Sequence, residues 1–151
     1  MDKDCPICNS CKGTRAHCRT KKVHGEPDKL PMPKKFADAI TCDHKILNED
    51  DASRDRDRVA LVVLDRYTKW LQSYAAETKE ASEVILAMKR FVGPQVVPEH
   101  IYTDNSKEFA AAFEELNWSH DTSTPDRSQT NGVIERSVRV VKEGTACALV
   151  Q

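Results

Sequence analysis

The sequence predicts an α/β domain, a mixed sheet flanked by helices, preceded by a cysteine-rich arm. Two observations carry this. From Phe36 onward, short apolar runs alternate with segments of helical periodicity, in the order strand, strand, strand, helix, strand, helix, strand, helix. Residues 1–35 show almost no such periodicity and hold four of the six cysteines. With 151 residues, 39% of them hydrophobic and 31% charged, the chain suits a single domain with a core of ordinary size rather than a disordered polymer. The boundary is drawn between residues 1–35, a basic arm and linker, and residues 36–151, the folded core.

Each element has its own signal. The stretch HGEPDKLPMPKK contains three prolines, which forbid a regular helix or a central strand, so it reads as a linker. FADAITCDHKI reads as a first strand, with Ile40 and Cys42 on one face and Thr41 and Asp43 on the other. NEDDASRDRDR is a charge-dense solvated turn. RVALVVLDRYTKW is the most apolar strand, and LQSYAAETK returns beside it as a hairpin. In ASEVILAMKRFV, Val84, Ile85, Met88, Phe91 and Val92 line one face of a helix that Gly93 and Pro94 end. EHIYT is a short strand, KEFAAAFEELN a helix with Phe109, Phe113 and Leu116 buried, and WSHDTST a last short strand. PDRSQTNG reads as a polar loop, followed from about Asn131 by a helix burying Ile134, Val138, Val141 and Leu149. Trp70 and Trp118 are expected in the core or its rim.

The net charge of −1 hides an asymmetry. Residues 1–35 carry nine Lys/Arg against four Asp/Glu, residues 36–128 eleven against eighteen, and residues 129–151 three against two. A protein that merely coats DNA would be basic throughout. An acidic middle suits a domain that gathers carboxylates around cations and leaves backbone contacts to its flanks, although an ordinary soluble surface has the same balance. No apolar run reaches the length of a membrane span, and the N-terminus lacks the apolar core of a signal peptide, so no membrane partner and an intracellular location are expected.

Three acids stand out by position. Asp43 lies within the first strand, Asp104 at the tip of EHIYT, and Glu135 near the start of the last helix. Strand ends and helix starts converge on one crevice in open α/β sheets. Carboxylates gathered there need cations, and hard oxygen donors suit Mg²⁺. Asp65 is a rival ligand, with a structural role at its strand end as the other reading. Glu135, Arg139 and Lys142 fall at i, i+4 and i+7 and share a helix face, as a salt-bridged surface or as a metal ligand followed by phosphate contacts.

The pieces ITCDH, IYTDNSKEF and STPDRSQTNGVIER together resemble the catalytic core of retroviral and retrotransposon integrases. Pro125, Gln129, Asn131, Gly132, Glu135 and Arg136 all match the family's last motif. The resemblance covers roughly Phe36 to the C-terminus and implies an RNase H-like fold from a retrotransposon Pol polyprotein. It implies Asp43, Asp104 and Glu135 as catalytic ligands of two Mg²⁺ or Mn²⁺ ions. It also implies DNA contacts through Gln129, Asn131, Arg136, Arg139 and Lys142. Asp65 falls where the family uses no ligand and is kept structural. The implied activity is DNA strand transfer and 3′-end processing on element ends and target DNA. A homo-oligomer is implied for the full-length protein, and a nuclear location when chromosomal DNA is the target. Thirty residues separate Asp104 from Glu135, several fewer than the family usually has, and the chain stops at Gln151 within a helix, so a C-terminally truncated core is expected.

CPICNSCKGTRAHC contains CxxC twice in overlap, which in an intracellular chain points to metal before disulfides. In the family a CxxC precedes the core and joins an upstream His pair on Zn²⁺. Cys5 and Cys8 occupy the CxxC position; the upstream His pair is absent from this sequence, and Cys11, His17, Cys18 or His24 are the candidates to replace it, though none gives a standard zinc-knuckle spacing. The alternative to an active transferase is a non-catalytic nucleic-acid-binding remnant with the same fold. An RNase H-type nuclease is a weaker third reading.

Overall fold

The computed structural model describes residues 6, 32–46, 53, 55–122 and 128–150. Cys5, Cys8 and the other candidate zinc ligands of the arm lie outside the described residues. The strands are β1 (Ala39–Ile46), β2 (Val59–Asp65), β3 (Leu71–Ala76), β4 (His100–Thr103) and β5 (His120–Thr122). The helices are α1 (Ala81–Val92), α2 (Lys107–Glu115) and α3 (Ser128–Val150). They form a five-stranded mixed sheet in the order β3-β2-β1-β4-β5, in which β1, β2 and β3 are antiparallel and β4 and β5 run parallel to β1.

Alternation along the central strands divides the hydrophobic residues between two faces. Ile40, Cys42, Leu61, Val63 and Ile101 enter one cluster with Val84, Met88 and Phe91 of α1 and Phe109 and Phe113 of α2. Val62 and Leu64 meet Ile134 of α3 on the other face, with Leu71, Val138 and Val141 at the border. Helices on both faces explain why β2 is an almost uninterrupted apolar run. The apolar stripe predicted for residues 81–92 is the buried face of α1. Gly93 ends that helix at φ 82°, where a side chain would be strained, and its N–H returns to the Lys89 carbonyl at 3.0 Å.

Asp65 is fully buried and structural, as its strand-end position suggested. It lies three residues from Val62, the ladder partner of Asp43, and so faces the opposite side of the sheet from Asp43. Its Oδ1 accepts the Ala37 N–H at 2.9 Å, and its Oδ2 accepts the Thr68 N–H at 2.7 Å and the Thr68 hydroxyl at 2.6 Å. One carboxylate thereby ties the entry of β1 to the turn between β2 and β3. It also helps hold Ala37 at φ 69°, a costly conformation for a residue with a Cβ.

Three expectations need correction. α3 begins at Ser128, so the end of the supposed loop, Ser128–Gly132, is helical backbone. Asn131 and Gly132 disfavour a helix only weakly, by up to about 1 kcal/mol for glycine, and the turns that follow pack on the sheet and outweigh this. Leu149 is 83% exposed, and at this end of α3 it is Cys147, two residues earlier, that is buried. Trp70 is 54% exposed at the β2–β3 turn, whereas Trp118 does pack against the core.

Removing the Asp65 carboxylate leaves the Ala37 and Thr68 amides without an acceptor. Asp65→Ala is expected to cost about 3 kcal/mol, seen as a lower urea midpoint, and Asp65→Asn, which keeps one acceptor oxygen, roughly half of that.

Candidate active site

Two of the three candidate acids are set side by side by strand register. β1 and β4 pair with Thr41 opposite Tyr102. Carrying this parallel register two residues further brings Asp43 level with Asp104, on the sheet face that α3 covers. Neighbouring strands are about 4.8 Å apart, so the carboxylates share one small region. Glu135 comes from the third direction. It follows Ile134, which packs on Val62, and Val62 is the ladder partner of Asp43.

The end of β4 is fastened from behind. The fully buried Thr103 hydroxyl donates to the Asp104 carbonyl at 2.7 Å, so its oxygen is left to accept from His120 Nε2, also at 2.7 Å. His120 is thus the Nε2–H tautomer, and burial holds its basicity below the ordinary imidazole value. Its ring packs on Phe113, with centroids 4.8 Å apart. His120 thus serves as a structural brace behind the end of β4. His44 stacks on Phe109 at 4.5 Å, on the face opposite Asp43. Burial is the main reason its pKa falls to about 4, with Lys79 adding to the effect, so it is neutral near pH 7.

The three acids feel one another. Asp43 is raised from 3.8 to about 6, first by burial, then by Asp104, with a smaller contribution from Glu135. Asp104 Oδ1 is buried and has no hydrogen-bond partner, an expensive state for a carboxylate oxygen unless a proton or a cation meets it. Beneath them, burial and then the fields of Asp43 and Asp104 push the Cys42 thiol well up, so it is an inert core group. Asp43 and Asp104 thus fit two ligand positions of a hard divalent cation. Glu135 is exposed, and among the described residues no three His, Cys, Asp or Glu side chains stand close enough together to hold an ion.

Arg136, Arg139 and Lys142 are exposed on α3. Gln129 and Asn131 lie in its first turns, with their side chains outside the described residues. Lys79, between β3 and α1, was missed by the sequence reading. Its charge lowers Asp43 slightly and also acts on His44 and Glu108, which puts a cation near the acids. Within ETKE it looks like any residue of a solvated turn, and only the fold brings it to the site. A cavity of about 450 Å³ lies towards the other end of β1 and β4, lined by Lys34, Arg66, His100 and Tyr102 among others, and includes none of the three acids.

No family model and no curated protein matches the chain. Solved structures do. The catalytic core domain of BIV integrase superposes with a TM-score of 0.52 at 18% identity, over 71% of this chain and 68% of that one. A chain of the simian T-cell lymphotropic virus intasome, solved with the PP2A regulatory subunit B56 gamma, gives 0.55 at 23%, over 70% of this chain and 38% of that one. The present chain therefore matches only about two-fifths of that intasome chain. At these identities the likeness establishes the fold alone, that of the retroviral integrase catalytic core on which the chain superposes.

The raised Asp43 has a consequence for stability. The folded chain keeps its proton up to about pH 6, while an unfolded aspartate releases it near 3.8. The native state binds more protons in this window, so stability falls as pH rises from about 4 to 6. Allowing for the partial exposure of Asp43, the drop is about 1–2 kcal/mol. Thermal unfolding in chelator at stepped pH should show this slope in the wild-type chain and lose it in Asp43→Asn.

Proposed function

We propose that the chain is the core of a retrotransposon-type integrase, a polynucleotidyl transferase that processes DNA 3′ ends and joins them to target DNA. The observation that carries this reading is the β1–β4 register, which sets Asp43 level with Asp104, both on the face from which Glu135 approaches. In this reading Asp43, Asp104 and Glu135 would hold two Mg²⁺ or Mn²⁺ ions. Such ions, when bound, supply activation of a water or 3′-hydroxyl and stabilisation of the leaving oxygen in an in-line displacement at a phosphodiester.

The chain's own residues do the rest. Asp43, on β1, and Asp104, directly after β4, would set where the ions, and through them the scissile phosphate, sit. Arg136, Arg139 and Lys142 neutralise DNA phosphates along α3, with Gln129 and Asn131 positioned at the start of that helix to orient the strand end. Glu135 closes the site as the helix settles against bound DNA. Cys5 and Cys8 of the arm bind zinc in the same reading, the full-length protein assembles as an oligomer on two DNA ends, and the work is done inside the cell, in the nucleus when chromosomal DNA is the target.

The exposure of Glu135, with no three ligand side chains grouped among the described residues, favours a second reading, a nucleic-acid-binding remnant that keeps the fold without turnover. Mn²⁺ titration calorimetry separates the two. The transferase reading expects binding by the wild-type chain, weakened at least roughly tenfold by Asp104→Asn or Asp43→Asn. With supplied DNA ends, Glu135→Gln should lower strand transfer by about 10²-fold or more while leaving DNA binding in place. A wild-type chain that takes up no Mn²⁺ is the remnant.

A further inference from the structure

We infer that residues 66–70, the turn joining β2 to β3, form a stacking platform for unpaired DNA bases. The inference rests on the DNA reading above and adds a contact outside the acid site. Tyr67 and Trp70 are 51% and 54% exposed, and they stand three residues apart on one tight turn with Arg66 and Lys69. Large aromatic surface left in water beside cations is what single-stranded polynucleotides use, because every base has a face to stack and every nucleotide a phosphate to neutralise.

The turn is held in advance. Asp65 Oδ2 takes the Thr68 N–H and hydroxyl, the Thr68 oxygen accepts the Trp70 N–H at 3.2 Å, and the Trp70 carbonyl accepts the Asp65 N–H at 2.9 Å. Arg66 N–H reaches the Ala39 carbonyl at 2.8 Å, and Lys69 sits at φ 63°, a conformation a lysine adopts only when its surroundings impose it. Two exposed rings on a rigid mount lose little entropy when a base stacks on them. Lys69 Nζ spends one donor on the Arg66 carbonyl at 2.6 Å and keeps two for a phosphate.

Charge decides the occupant. The Asp65 carboxylate is buried beneath the turn, and the charge the turn exposes beside the two rings is that of Lys69. A symmetric contact between two copies through this turn would set the exposed Lys69 of one against Lys69 of the other, whereas a polynucleotide neutralises it. The placement also suits DNA. Asp43 faces Val62 and Ile40 faces Asp65 on the β1–β2 ladder, so the turn begins about 10 Å from the acids and ends roughly 15 Å away. At about 3.4 Å per nucleotide, a strand end held at the acids would bring bases some three to five nucleotides back to Tyr67 and Trp70. Leu71, directly after Trp70, borders the same apolar cluster as Val138 and Val141, so α3, with Arg139 and Lys142 on its exposed face, bridges the interval.

The test uses the whole chain and a ten-nucleotide oligothymidine, with a duplex of equal length beside it. Wild-type tryptophan emission should be quenched by the oligonucleotide, and Trp70→Phe should lose most of that response while keeping most of the affinity. Trp70→Ala and Tyr67→Ala should each weaken binding of labelled oligothymidine by roughly 5- to 100-fold in anisotropy, with far-UV circular dichroism and melting unchanged. Lys69→Ala should reduce the salt slope by about one. If the oligothymidine binds but Trp70→Ala binds it equally well, the platform is wrong while the DNA reading stands. If neither oligonucleotide binds the wild-type chain, both fail. Sedimentation showing dimers that Trp70→Ala dissolves would replace DNA with a second copy of the chain and overturn the inference.

Discussion

The parallel pairing of β1 with β4 is the constraint on which the rest of this molecule depends. It brings Asp43, on β1, beside Asp104, the residue directly after β4, and the price appears in the chemistry of both: Asp43 holds its proton to about pH 6, and Asp104 keeps a buried oxygen with no partner. A fold selected only for stability would not keep this pair, since leucine or valine would pack there without penalty. Around it the sheet is ordinary and strong. Thr103 and His120 brace the end of β4, the phenylalanines of α2 back the opposite face, and α3 lies along the near one. The unfavourable feature is confined to one place and supported from every side.

Much of this was legible from residue order, for identifiable reasons. The α1 pattern could be read to the residue because a 3.6-residue stripe is bounded by a glycine that no helix continues through. The strands were legible in existence and order but were read too long at their ends: β2 stops at Asp65, and RYTKW is a turn. Alternation cannot show where a side chain begins to bind its own backbone. The start of α3 was misread for the converse reason, since glycine and asparagine advertise a loop but do not prevent a helix whose later turns are anchored on a sheet. Trp70 is expected in the core or its rim, and a turn geometry that residue counting does not reveal puts it outside.

The candidate site divides in the same way. Asp43, Asp104 and Glu135 could be named from motifs, and parity along β1 and β2 explains why Asp65, equally acidic and also on a strand, faces away from them. The distance of Glu135 from the other two is a packing property of α3, and nothing in the spacing of acids reports it. Lys79 is invisible for a related reason, because its influence on Asp43, His44 and Glu108 exists only after β3 and α1 have brought its turn to the sheet.

Asp65 joins parts of the backbone that are 28 residues apart in the chain. Its two oxygens anchor the amide that leads into the central strand and the amide at the crest of the β2–β3 turn, so neither can open without freeing the other. The margin of the sheet is therefore one cooperative unit rather than a frayed end, and the Ala37 and Thr68 amides should exchange with solvent at a common rate. A contact surface at the turn inherits the rigidity of the central strand through a single buried side chain.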